Sequence, residues 1–295
     1  MKADTRFLTQ PKEFWANVRT ISQEVGYTER GTSSIKIPSL NAIRKKFDEL
    51  GLTADHIAGE DDGLTPFGRC LLDYFSFRAM VLNNTVQSYL MRKDAAEVEF
   101  NQLKRKLNPR CALPMNKQKA EKRNHAFLTG MVNMLVEANI GDAPCDYDPR
   151  SLTTMTHDSM PLRTLSRRVD GAFPSVVNPI AIWEIKEYYY TTTFGSRVAD
   201  GVYETLLDGM ELEELEAVAQ RKVQHVLFID DYFTWWECGR SYLCRMIDML
   251  HMGYVDEIIF GREVLTRLPA LAKEWKAAYD ALEGRGPTSW FLPTA

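Results

Sequence analysis

From Pro11 onward the apolar positions recur at spacings of three and four. Phe14, Trp15, Val18, Ile21 and Val25 form one stripe, the mark of an amphipathic helix that opens near a proline and is broken by Gly26 and Gly31. Leu40, Ile43, Phe47 and Leu50 repeat the stripe between a Ser39 N-cap and Gly51, with Arg44, Lys45 and Lys46 lying off it. A short helix with a basic outer face is expected there. Thr65 or Pro66 opens a long helical pattern to about Met91, and Ala95 to Leu107 continues as a charged helix. Asn108 to Pro114 contains two prolines and reads as a linker. Residues 1–113 are therefore expected to form a mainly helical domain and residues 114–295 a second one.

Beyond the linker the period changes. Asn116 to Asn139 is helical, with Phe127, Leu128, Met131 and Leu135 on its apolar face, and Asp142 to Arg150 is turn-rich. Ser151 to His157, Thr164 to Ala172 and Pro179 to Tyr190 predict three successive strands, and Val223 to Ile229 and Val255 to Phe260 two more. Helical patterns at Arg197 to Leu207, continuing through the acidic Glu211 to Glu216, at Tyr242 to Leu250 and at Leu268 to Leu282 separate or follow the later strands. Such alternation predicts an α/β fold, a mixed central sheet with helices on both faces.

Composition narrows the class. The chain has 295 residues, 45% of them hydrophobic, enough for a substantial core. No apolar run approaches the roughly 18 residues of a membrane span, and Met1 to Thr20 is charged where a signal peptide is apolar, so a cytoplasmic protein with no membrane contact is expected. Five cysteines without a C-x-x-C pair read as reduced thiols rather than a zinc or disulfide framework. Charge is unevenly spread. Residues 1–130 hold 21 Lys and Arg against 15 Asp and Glu, a balance of +6, whereas residues 131–295 hold 15 against 25, a balance of -10. The basic excess is sharpest from Asn101 to His125, a pattern that suits a phosphate backbone and equally a solvated helix face. The short N-terminal helices are compatible with a helix-turn-helix or winged-helix DNA reader and with a bundle that only braces its neighbour.

The third strand carries the candidate chemistry. Alternation puts Ile180, Ile182, Glu184 and Lys186 on one face and Ala181, Trp183 and Ile185 on the other, so two charges stand where core is expected. Charges in such a position end up paired, metal-bound or at a sheet edge beside a cleft. Asp170 precedes them with thirteen residues between it and Glu184, beside Arg167 and Arg168. Two carboxylates from adjacent strands, a main-chain carbonyl and a lysine suit Mg²⁺ and metal-assisted phosphodiester hydrolysis, the lysine orienting or deprotonating water. The triplet alone means little: Glu274-Trp275-Lys276 repeats it in a helix, where residues two apart diverge. Glu187 points to the other face and reads as structural. Asp230 and Asp231 read as a turn, and the five histidines lack ligand spacing. There is no phosphate-binding G-x-x-x-x-G-K-[ST] loop, so no nucleotide cofactor is expected.

Asp170 and then Glu184-Ile185-Lys186, within the order helix, strand, strand, strand, helix, strand, resemble the PD-(D/E)XK nuclease superfamily. The basic helical N-terminal half makes the chain most similar to type II restriction endonucleases. The resemblance covers residues 116–260, and Val169 stands where the family name has proline. It implies a restriction-endonuclease-like core and an endonuclease for double-stranded DNA. Mg²⁺, with Mn²⁺ as a substitute, would be held by Asp170, Glu184 and the Ile185 carbonyl, with Lys186 acting on water. An added acid would come from the preceding helix, Glu121 or, as the other candidate, Glu137. DNA contacts are expected from Lys117, Lys119 and Arg123, from Arg167 and Arg168, from Thr193, Ser196 and Arg197 after the catalytic strand, and from Arg44 and Lys45 in the N-terminal half. One active site cuts one strand, so a homodimer matches the duplex. Two rivals stand beside this reading: a low-specificity phage-defence or repair nuclease, and a non-catalytic DNA-binding or scaffold protein in which Glu184 and Lys186 are a buried structural pair.

Overall fold

A computed structural model describes the chain except residues 30, 33, 117–123, 192–194, 220 and 284–295, and the side chains of residues 196, 197 and 283. The chain opens with α1 (Thr5–Leu8), α2 (Lys12–Val25), α3 (Leu40–Glu49) and α4 (Pro66–Met80). The last of these widens into π-helical turns over Val81–Val86 and ends in α5 (Gln87–Tyr89). Ser39 and Thr65 cap as their positions predict, accepting from the N–H groups of Ala42 and Gly68 at 3.3 and 2.9 Å. The apolar stripes of α2, α3 and α4 meet in one cluster containing Phe14, Trp15, Ile43, Phe47, Leu71 and Tyr74.

The rest is a mixed α/β unit. α6 (Lys93–Leu107) and α7 (Phe127–Ile140) precede a five-stranded sheet, in the spatial order β1 (Asp146–Tyr147), β4 (Gly171–Phe173), β5 (Ala181–Lys186), β6 (Gln224–Ile229) and β7 (Glu257–Phe260). β1, β4 and β5 run antiparallel in succession, and β5, β6 and β7 run parallel. The parallel strands are linked by α8 (Ser196–Ala219) and α9 (Arg240–His251), and α10 (Val264–Glu283) follows. Trp183, Ile185, Phe228 and Ile259 face α6, α7 and α10, and Trp183 stacks on Trp275 with centroids 5.4 Å apart. Ile182 faces α8, while Leu227, Ile229 and Phe260 pack with residues of α8 and α9. α6, which the linker at 108–114 assigned to the first half, packs Ala96 and Phe100 into the α7 and α10 cluster. Among the described residues no helix is long and apolar enough to cross a membrane.

The early strands differ from expectation. β2 (Thr154–His157) does not join the sheet but pairs with β3 (Met160–Thr164) in a separate hairpin. Its turn residues Asp158 and Ser159 have φ of 47° and 66°, a conformation usually signalled by Asn-Gly or Asp-Gly rather than Asp-Ser. Thr164 to Ala172 is not one strand. Leu165 N–H bonds Thr153 O and Ser166 N–H bonds the Glu211 carboxylate, so ladder donors are taken up elsewhere before β4 begins. The first strand of the sheet lies instead at Asp146–Tyr147, inside the turn-rich stretch.

A buried ion pair joins the two halves. Arg78 of α4 donates to both oxygens of Asp248 on α9 at 2.9 and 3.0 Å and to Ser22 at 3.0 Å, and Tyr74 Oη donates to Asp248 at 2.6 Å. Arg78 and Asp248 are 1% and 4% exposed. Removing one partner strands the other charge, so Asp248→Ala should cost about 3–5 kcal/mol in urea unfolding, and the Arg78→Met/Asp248→Leu pair should recover most of it. A loss under about 1 kcal/mol for Asp248→Ala contradicts this account.

Candidate active site

β5 holds the candidate residues because its flanks are apolar and its period is two. Ala181, Ile182 and Trp183 lock the strand into the core, which carries Glu184 and Lys186 inward with it. Glu184 has no exposed surface and Lys186 is 5% exposed. Lys186 Nζ lies 3.0 Å from Glu184 Oε2 and 3.2 Å from Glu204 Oε2 of α8. Arg167 Nη1 lies 2.9 Å from Glu184 Oε1 and 2.6 Å from Asp208 Oδ2, and its Nη2 lies 3.3 Å from Glu204. The Arg167–Glu184 contact has ion-pair distance without hydrogen-bond alignment, so Glu184 Oε1 has no donor aimed at it.

Burial alone would raise the Glu184 carboxyl, but Lys186 and Arg167 outweigh it and hold it below its ordinary value. Burial likewise would lower Lys186, yet Glu184 and Asp170 keep it raised, so its amine stays protonated. Asp208 is left with the deficit. Burial and the Glu184 charge push it up to about 7 despite Arg167, and its Oδ1 has no hydrogen-bond partner.

Asp170 stands at the place where β4 leaves β5. The ladder pairs Gly171 with Trp183, and a Cβ on Gly171 would lie 2.1 Å from the Trp183 ring, so only glycine fits beneath the indole. One residue earlier the N–H of Asp170 goes to Trp183 O at 3.1 Å, and Asp170 Oδ2 takes the Ile185 N–H at 2.7 Å where a strand carbonyl would otherwise stand. This parting opens a cavity of about 160 Å³ whose lining includes Asp148, Asp170, Ile185, Glu187 and Thr129. The expected quartet is thus divided: Asp170 and the Ile185 main chain face this notch, while Glu184 and Lys186 point toward α8. Glu187, read as structural, sits at the N-terminus of α7, with Oε2 accepting from Thr129 N and Oγ1 at 2.9 and 2.7 Å.

The remaining candidates fall in several places. Arg167, expected at DNA, is turned inward by Glu184, Glu204 and Asp208, whereas Arg168 is exposed. Arg44 is turned onto the 58–62 turn, bonding Asp62 and Gly59 O, and Lys45 is exposed. Glu137 lies against the Arg110 N–H at 2.9 Å, away from β5. Lys117, Lys119, Glu121, Arg123 and Thr193 lie outside the described residues, as do the side chains of Ser196 and Arg197 at the start of α8. Asp230 accepts from Tyr188 N–H and from Trp235 Nε1, and Asp231 caps the following turn through Thr234 N–H at 2.8 Å. Glu204 and Asp208 were not anticipated. Their signal was Glu204, Asp208 and Glu211 at spacings of four and three, an acidic stripe on one face of α8. Among the described residues no three His, Cys, Asp or Glu side chains cluster as metal ligands.

Fold and site together define a mixed α/β protein with a buried charge network at the carboxyl end of its central strand. The chain belongs to the family described as a domain of unknown function (DUF7687), whose model matches residues 91–275 and so takes in all seven strands found among the described residues. Residues 1–85 match a second domain of unknown function (DUF7690). No curated protein and no solved structure matches the chain.

Asp208 makes stability pH-dependent. An unfolded Asp titrates near 3.9, so between about pH 4 and pH 7 the native state holds the extra proton. Its contribution is complete below that window and is lost as pH rises to about 7. Asp208→Asn should therefore flatten the fall in melting temperature between about pH 4 and pH 7; equal slopes in variant and wild type would count against the assignment.

Proposed function

We propose that the protein is a Mg²⁺-dependent endonuclease acting on double-stranded DNA, the reading that the resemblance to type II restriction endonucleases implies. One observation carries it: Asp170 stands where β4 parts from β5, opposite Glu184 in continued register, with its carboxylate 2.7 Å from Ile185 N. In extended backbone a residue's N–H and C=O point to the same neighbour, so the Ile185 carbonyl faces this notch too. The order α7, β1, β4, β5, α8, β6 supports the reading as well.

The donor set suits the cation. Asp170, Glu184 and the Ile185 carbonyl offer oxygen only, the donor type a hard cation that retains waters takes, and at Glu184 such an ion would have to displace Arg167, whose Nη1 stands 2.9 Å from Oε1. Such an ion, when bound, stabilises charge on phosphorus and lowers the pKa of an attacking water. Lys186, held protonated, orients a water or phosphate oxygen rather than taking its proton. A homodimer with site-specific cleavage belongs to this reading.

The complete burial of Glu184 favours a second reading, a DNA-binding or scaffold protein in which Glu184, Lys186 and Arg167 are structural. Plasmid incubated with Mg²⁺, beside an EDTA control, Asp170→Asn and Lys186→Ala, separates the two when the same variants are unfolded in urea. The nuclease should cut, giving discrete bands if site-specific, and Asp170→Asn should lose about 100-fold or more in rate while staying folded. Absence of cleavage on several unmethylated DNAs, with Lys186→Ala costing about 3–5 kcal/mol of stability, would establish the structural pair instead.

A further inference from the structure

We infer that Arg167 is a latch on the candidate cation site: its guanidinium covers the Glu184 oxygen that a divalent cation would take, Asp208 of α8 holds it there, and the site opens only when Arg167 swings out. The inference rests on the metal reading above and names the residue that sets the affinity of that site. Both oxygens of Glu184 are covered, Oε2 by Lys186 Nζ at 3.0 Å and Oε1 by Arg167 Nη1 at 2.9 Å. One of these two cations must therefore withdraw before an ion can reach the carboxylate.

Arg167 is the one that can. Lys186 sits on the same strand as Glu184 and is enclosed with it, whereas Arg167 lies on the segment before β4 and keeps 24% of its side chain open. Glu204, the outermost of its three acid partners, is 45% exposed and marks the way out, since Arg167 Nη2 already stands 3.3 Å from it. The backbone on either side is fastened, by Ser166 N–H on Glu211 and Asp170 N–H on Trp183 O, so the motion is a change of side-chain rotamer.

The contacts differ as a latch requires. Arg167 meets Glu184 at ion-pair distance only, but it donates to Asp208 Oδ2 at 2.6 Å and to Glu204 Oε2 at 3.3 Å in hydrogen-bond alignment. Its tightest hold is thus on Asp208, which lies outside the ligand set of Asp170, Glu184 and the Ile185 carbonyl. Charge favours the exchange as well. Glu184, Glu204 and Asp208 surround only Lys186 and Arg167, so a divalent cation at Glu184, with Arg167 moved onto Glu204, supplies positive charge that the cluster lacks.

Isothermal titration of Mn²⁺ into the full chain, with no DNA present, tests the latch apart from cleavage. A site that is open in about one chain in ten binds about tenfold more weakly than its intrinsic affinity, so Arg167→Gln should tighten Mn²⁺ binding by about tenfold. Asp208→Asn, which leaves Glu184 both its cations and so keeps the fold where Arg167→Gln does not, should tighten it several-fold. The two changes release one latch, so the double variant should bind no more tightly than Arg167→Gln alone. Adding Asp170→Asn should abolish the gain; a gain that survives it places the ion elsewhere and overturns the inference. Unchanged or weaker binding in the folded variants, with Mn²⁺ still bound by the wild type, overturns the latch and leaves the metal reading in place. No Mn²⁺ binding by the wild type or any variant removes both. Tightened binding in variants of a protein that never cuts plasmid refutes the nuclease reading and leaves the latch standing.

Discussion

Glu184 is a carboxylate with no surface open to water, and much of the surrounding structure serves to keep its charge. An isolated ion there would cost several kcal/mol, so the strand could not hold its place without partners. Those partners come from three directions: Lys186 two residues on, Arg167 from the segment before β4, and α8 through Glu204 and Asp208. Three carboxylates then face two cations, and the mismatch falls on Asp208, which is pushed up to about 7. The same network positions its neighbours. Arg163 and Ser166 bond Glu211, so the stretch from 163 to 167, paired with β2 at its start, is fastened to α8 before it reaches β4. α8 in turn must run unbroken past Gly209, where a Cβ would lie 2.4 Å from Tyr254 O.

The balance of local and distant forces decides what could be read from the sequence. Elements with a strong period and recognisable ends, such as α2, α3, β6 and β7, lie within a few residues of where pattern puts them. β5 was legible for the same reason, and so was the shared face of Glu184 and Lys186. The stretch from Asp146 to Phe173 was not, because its outcome depends on side chains far along the chain. Glu211 takes the Ser166 N–H from 45 residues away, and no local propensity reports that. Arg167 shows the same dependence on distant partners. A cation beside a candidate site suggests a phosphate contact until its carboxylate partners, 37 and 41 residues later on α8, are known.

The carboxyl end of β5 also gathers contacts from both faces of the sheet. Lys186 holds α8 directly and Glu184 does so through Arg167, Glu187 holds the N-terminus of α7, and Asp230 ties the Tyr188 N–H to Trp235. Apolar packing fixes the first half of the strand and polar contacts the second. That division leaves polar groups concentrated where two parallel strands end, the region in which an open α/β sheet ordinarily builds a site. Chemistry and architecture therefore compete for the same atoms: each carboxylate used to anchor a helix is partly withdrawn from solvent.

The distribution of exposed positive charge bears on which half would meet a polyanion. α3 looked like the basic face, yet Arg44 is folded onto the 58–62 turn and Lys46 pairs with Glu49 at 2.6 Å, leaving Lys45 outermost. Three polar groups of α2 and α4, Ser22, Tyr74 and Arg78, meet around Asp248 of the sheet unit. These contacts describe a brace. α6 differs: its stripe of Ala96 and Phe100 is buried against α7, so Lys104, Arg105 and Lys106 stay on the outside, while its N-terminus is docked at the end of β6. α6 is thus fixed to the sheet at one end and cationic at the other. α3 packs into the cluster it shares with α2 and α4, and two of its three cations, Arg44 and Lys46, are paired.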